Sequence, residues 1–145
     1  MKPLLAFMFT VTCASGFALS ALPDGHWEGQ GHYRTDSGAK GDSTEALTIK
    51  ANVMTSEMTI GSQKEAYVLK HEFKANDFFT VSIEQRSTGK TSAGAGYCGS
   101  LWCHVASNDN TFEMTYVFDQ ANVYELGHDV STAGTGWFES ALTKK

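Results

Sequence analysis

Proline is nearly missing from this chain. The two prolines, Pro3 and Pro23, both lie near its start, so no proline-rich linker divides the remaining residues. Cysteine is scarce as well, with Cys13, Cys98 and Cys103 the only ones. Positive charge is in the minority: 11 Lys and Arg stand against 16 Asp and Glu, a formal net charge of −5. Without a basic run, such a chain is a poor partner for nucleic acid or an anionic membrane surface. Leu4 to Val11 is the one marked apolar run, well short of the ~20 residues of a membrane-spanning helix. No helical period is sustained over a dozen residues. Sequence signatures of chemistry are missing too: there is no Gly-x-Ser-x-Gly elbow, P-loop, dinucleotide fingerprint or His-Glu-x-x-His. No catalytic residue is therefore assigned, and the protein is not expected to be an enzyme.

The start of the chain has the order of an export signal. Lys2 supplies a positive end, Leu4 to Val11 an apolar stretch, and Ala18, Ser20 and Ala21 small residues for cleavage. Residues 1–20 are expected to be a signal peptide and residues 21–145 a single domain, periplasmic or secreted. Thr10-Val11-Thr12 before Cys13 lacks the residues of a lipobox, so a lipid anchor is not expected. Cleavage leaves Cys98 and Cys103, a close pair that in an exported protein points to a disulfide. At 41% hydrophobic and 12% aromatic residues, the remainder can build a packed core.

What recurs in that remainder is alternation. In Gly25-His26-Trp27-Glu28-Gly29-Gln30-Gly31-His32-Tyr33, Trp27, Gly29, Gly31 and Tyr33 share one face. Two glycines on that face predict a strand that bends and is closely approached. Leu47, Ile49, Ala51 and Val53 alternate with polar residues. So do Tyr67, Leu69, His71 and Phe73; Phe79, Val81 and Ile83; and Phe112, Met114, Tyr116 and Phe118. Turn signals separate these runs at Asp36-Ser37-Gly38, Gly61-Ser62, Ala75-Asn76-Asp77, Ser87-Thr88-Gly89, Ser107-Asn108-Asp109-Asn110, Asp119-Gln120 and Thr132-Ala133-Gly134. Thr91 to Gly96 reads as a short glycine-rich strand. The pattern predicts an all-β, antiparallel meander of about nine strands. With no helix to cover its apolar face, the sheet is expected to close into an up-and-down barrel, which also removes its edges.

Gly25-x-Trp27 on a first strand, followed by such a barrel, resembles the calycin superfamily of lipocalins, fatty-acid-binding proteins, avidins and nitrobindin-like haem barrels. The extended Gly25-x-Trp27-x-Gly29-x-Gly31 with Tyr33 is most similar to the nitrobindin-like start. There the Gly alternation usually runs one step further before the Tyr. The resemblance implies the barrel fold and an interior binding site. It would place a haem-ligating histidine late in the chain, where only His128 stands, without a specific motif around it. The chain also resembles small exported bacterial barrels of no known activity.

Several residues are candidates for chemistry. Cys98-Gly99-Ser100-Leu101-Trp102-Cys103-His104 reads as a hairpin closed by a cross-strand disulfide. Its Cys-His end also resembles a haem-attachment variant, and a catalytic dithiol is the remaining alternative. His71 falls in the apolar register, where it is either a core histidine satisfied by a neighbour or a polar contact in a pocket. His104 shares a face with Trp102; if that face is the inner one, His71, His104 and Gln85 meet in one cavity. His26, Glu28 and His32 share the outer face of the first strand, a solvated surface or an adventitious metal site. His128-Asp129 reads as a loop pair. Glu125 and Glu139 stand in aromatic surroundings, and Glu139 reads as a rim residue or an inward carboxylate.

The leading expectation is a barrel binding a small apolar or amphipathic ligand, without a cofactor. The expected lining is Trp27, Tyr33, Leu69, His71, Phe73, Phe79, Val81, Trp102, Phe112, Met114 and Tyr116, with His71, His104 or Gln85 orienting a polar group. Trp27 is also expected to plug the closed end of the barrel. The alternatives are a haem or metal barrel similar to nitrobindin, and a side-chain-filled barrel that works through its outer surface.

Overall fold

The computed structural model describes residues 19–74, 77–131 and 134–145. The expected signal peptide lies outside the described residues, apart from Leu19 and Ser20. The rest is ten strands in chain order: β1 (Gly25–Thr35), β2 (Lys40–Lys50), β3 (Val53–Ile60), β4 (Gln63–Phe73), β5 (Phe78–Gln85), β6 (Lys90–Cys98), β7 (Trp102–Ser107), β8 (Phe112–Asp119), β9 (Asn122–Ser131) and β10 (Gly134–Lys144). Each pairs antiparallel with its neighbours in sequence, and β1 pairs with β10 to close the barrel. No helix of the described residues is long and apolar enough to cross a membrane.

The expected barrel is thus present, with ten strands rather than about nine. One extra boundary falls inside the Leu47–Val53 alternation. Ala51 and Asn52 both have positive φ, 50° and 64°, the requirement of a tight two-residue hairpin turn. The alternation continues through the turn because Met54 pairs with Ile49 and both point inward. Periodicity alone therefore does not reveal the reversal. Thr91–Gly96 is indeed strand, within β6.

The barrel has two unlike ends. The chain starts β1 at one end, where the β2–β3, β4–β5, β6–β7 and β8–β9 connections also lie. That end is packed: Leu22, Trp27, Ile49, Met54, Phe118, Val123 and Leu142 are buried there. Trp27 acts as the expected plug, with the Lys144 ammonium 5.6 Å from its ring centre on the outer side. The Leu19 N–H donates to the Gly99 carbonyl at this end. The opposite end carries the β1–β2, β3–β4, β5–β6 and β7–β8 connections.

Cys98 and Cys103 are cross-strand partners in the β6–β7 hairpin and form the expected disulfide, with Sγ–Sγ 2.01 Å. Both are buried. The ring they close is short, so the bridge removes little unfolded-chain entropy, about 2 kcal/mol. Replacing both with serine is expected to lower stability by that amount, read as a lower urea midpoint with an unchanged slope. An unchanged midpoint would show that the hairpin holds itself without the bridge.

This inward pairing corrects one expectation. Because Cys103 points in, Trp102 and His104 point out. Trp102 is exposed, and His104 Nδ1 meets the Thr115 hydroxyl at 2.9 Å on the outer face. They do not line the interior, and His104 does not meet His71.

Candidate functional site

Of the remaining expected lining, Leu69, His71, Phe79, Val81, Phe112, Met114 and Tyr116 are buried inside the barrel, and Phe73 packs against them half-buried. Most of these residues fill the interior; Phe112 also lines an open groove at the mouth with Tyr67, Ile83, Gln85 and Asp129. Leu69 and Tyr116 retain no exposed surface.

His71 is the satisfied core histidine. Its Nδ1 lies 3.2 Å from the Asn52 carbonyl and its Nε2 2.7 Å from the Tyr116 hydroxyl. The neutral ring satisfies both: Nδ1–H donates to the carbonyl, and Nε2 accepts from the phenol. Phe79 stacks edge-on at 4.9 Å. Burial, outweighing the carbonyl bonds, pushes the imidazole down from 6.5 to about 4. Between those values the unfolded chain binds a proton that the folded one refuses, so stability falls with falling pH. The loss is complete below the folded value and amounts to about 3 kcal/mol. In urea melts across this range, the stability of the native chain relative to His71→Gln is expected to drop by about that much toward pH 4. A difference independent of pH would show that His71 is not held neutral.

The open space lies at the end opposite Trp27. A cavity of about 180 Å³ is lined there by Tyr33, Met58, Ile60, Tyr67, Trp137 and Phe138, with Arg34, Glu65 and Asp129 at its margin. Tyr33 is the expected lining residue that reaches it. Tyr67 donates its phenol proton to Asp129, and burial together with the Asp129 carboxylate holds that phenol well above its usual range. Gln85 Nε2 donates to Glu65 at 3.0 Å and to the Tyr67 oxygen at 3.3 Å. Gln85 thus takes part from its inward position, without the histidines expected beside it. Arg34 lies over the outer face of Trp137, 5.2 Å from the ring centre.

Below this cavity, at mid-height, lies a buried polar cluster that no sequence motif marks. Glu45 on β2 and Glu125 on β9 are both buried and face each other across β1 and β10. β1 places Gly29 and Gly31 between them, and neighbouring atoms fill the room that larger side chains would need. A Cβ on Gly31 would lie 2.5 Å from Ser140 Oγ and 2.9 Å from Ser43 Oγ. Ser43 and Ser140 pair with Gly31 on its two sides, and Ser140 also pairs with Glu125. Ser56 donates to Glu45 Oε1 at 2.5 Å. Among the described residues, no donor reaches Glu45 Oε2 or either oxygen of Glu125, and Ser43 Oγ and Ser140 Oγ are unpartnered. Burial first, and then the adjacent Glu45, hold Glu125 well above the usual carboxylate range. A proton kept on Glu125 is the hydrogen through which the two carboxyls can bond. Phe138, which lines the cavity, also covers Gly127 with its ring, where a Cβ would lie 2.5 Å from Cζ.

The other candidates separate. His26 and His32 lie on the outer face, paired with Glu28 and Asp42. Among the described residues no group of three or more His, Cys, Asp or Glu is placed to hold a metal. His128 and Asp129 are not a loop pair but successive residues of β9 on opposite faces. Asp129 bonds Tyr67 inside, while His128 lies 3.9 Å from Glu113 outside. Glu139 points out, opposite His32. No protein-family model matches this chain, and no curated protein matches it. The fold and site define a closed, ten-stranded antiparallel barrel with a partly open mouth above a buried carboxylate pair.

Proposed function

We propose that this protein is an exported, calycin-like barrel that binds a small amphipathic ligand at its mouth, without a catalytic step. The observation that carries this reading is the cavity of about 180 Å³ over Tyr33, Met58, Ile60, Tyr67 and Phe138. Its composition, mainly apolar walls with a few convergent polar groups, is that of a small-molecule site. Apolar walls supply the transfer free energy, and the Tyr67–Asp129 pair with Glu65 orients a polar group.

The haem reading has less support, because the one buried histidine already uses both ring nitrogens. An enzymatic reading is weakened in the same way: His71 lies inside while His104 and Glu139 lie outside. The surface-module reading keeps one observation in its favour. Phe78, Tyr97, Leu101, Trp102, Val117 and Tyr124 are exposed on or beside neighbouring strands β5 to β9.

Native mass spectrometry of the exported protein, with Ile60→Trp beside it, tests the proposal. The native chain is expected to carry a small co-purifying molecule that the cavity-filling variant loses. A bare native chain, or a variant that keeps the same adduct, overturns it.

A further inference from the structure

The mouth cavity gathers four aromatic side chains and two carboxylates around one space. Tyr33, Tyr67, Trp137 and Phe138 line it, with Glu65 and Asp129 at its margin. Neutral donors already serve both carboxylates. Asp129 accepts the Tyr67 phenol proton, and Glu65 accepts from Gln85, Ser87 and the Ala66 N–H. Their charge is not met in the same way. Among the described residues, no Lys, Arg or His forms an ion pair with either carboxylate. Arg34, the one cation among the lining residues, is turned onto Trp137, 5.2 Å from its ring centre. Lys90 lies along the adjoining groove that shares Tyr67 and Asp129, and it is held by Thr111 and Asp109.

We infer that the group this cavity selects is an alkylated ammonium ion, its alkyl groups against the aromatic side chains and its charge facing Glu65 and Asp129. The inference rests on the mouth-binding reading above and adds the sign of the ligand's charge to it. Aromatic rings attract a cation through their quadrupole, more strongly where water is partly excluded. Half-buried carboxylates without a counter-charge favour a cation from solution and oppose an anion. The degree of alkylation follows from the hydrogen bonds. Tyr67, Gln85 and Ser87 already donate to these carboxylates, so a cation without N–H groups forfeits little there, whereas a primary ammonium competes for the same oxygens. Met58 and Ile60 complete the wall, where alkyl substituents leave water. A ligand with an anionic head would instead meet two like charges.

Choline and its neutral carbon isostere, 3,3-dimethylbutan-1-ol, are the probes, compared by titration calorimetry on the disulfide-intact protein. The two share a shape and differ in charge, so the difference between them reports the cation alone. Choline is expected to bind about tenfold more tightly, the scale of a cation–π contact in a partly desolvated site. Asp129→Asn keeps an oxygen for Tyr67 and removes only the charge, and it is expected to abolish most of that preference. Glu65→Gln is expected to reduce it as well. Ile60→Trp, which fills the cavity, should lose both probes. Equal affinity for the two probes, or binding of neither, overturns the ammonium inference, while the mouth reading is decided separately by the co-purifying molecule. A preference that both charge variants keep in full overturns it too. So does a choline preference that Ile60→Trp retains, since the cation would then sit on the acidic outer surface.

Discussion

Gly29→Ala is expected to unfold this barrel more effectively than any other methyl-sized addition to β1. The added carbon would lie 2.0 Å from the Ala141 carbonyl oxygen and 2.9 Å from the Leu142 Cα. Both obstacles are backbone of β10, the strand that closes the barrel against β1, so no side-chain rotation relieves them. Overpacked cores typically lose about 1–3 kcal/mol. A clash with backbone belongs at the upper end of that range or beyond it. The urea midpoint should fall accordingly, or the variant should fail to accumulate. Gly136→Ala is the control: nothing lies within 4 Å of its added carbon, and its midpoint should stay within ~0.5 kcal/mol of the native chain. Equal stability of the two variants would show that close approach at Gly29 does not govern barrel closure.

Glu125→Gln is expected to act in the opposite direction and stabilise the protein at neutral pH. Substituting a carboxyl inside a barrel usually raises concern, yet here the native residue is the anomaly. It is buried, it faces a second buried carboxyl, and it must hold a proton to bond Glu45. The amide offers Glu45 Oε2 an N–H without first taking up a proton, so the cost of keeping a buried carboxyl neutral above its ordinary range is removed. Relief of one poorly satisfied buried group contributes on the order of 1–3 kcal/mol. Each kcal/mol raises the melting temperature by roughly 2–4 °C in a chain of this size. A lower melting temperature would show that the Glu45–Glu125 carboxyl pair supports the fold.

Much of the fold was legible because alternation is a local property. The polar–apolar period of two, visible at Tyr67–Phe73 and Phe112–Phe118, marks the buried face of a strand whatever its partners. The absence of a helix then leaves barrel closure as the way to cover that face. The mouth was less legible. Tyr33 was a candidate, but Met58, Ile60, Tyr67 and Phe138 reach the cavity because separate strands end near it. For Trp102 and His104 the sequence did contain the answer. A cross-strand disulfide with both cysteines inward forces their neighbours outward, and aromatic character was the wrong guide to burial there.

The carboxylate pair shows where sequence stops. Glu45 lies in the inward register of Leu47 and Ile49, and Glu125 in that of Val123. Each can thus be assigned to the interior from period alone, although charge argues against it. What period cannot state is that two residues so far apart in the chain, on β2 and β9, face each other over the two glycines of β1. That meeting is decided by the closure of β1 on β10, a long-range contact with no local signature. Gly25-x-Trp27-x-Gly29-x-Gly31 by itself determined a plugged, bending first strand. Only the closed barrel packed Ser43, Ser140 and the β10 backbone against Gly29 and Gly31 and brought the two carboxyls together, because strands distant in sequence meet only on closure.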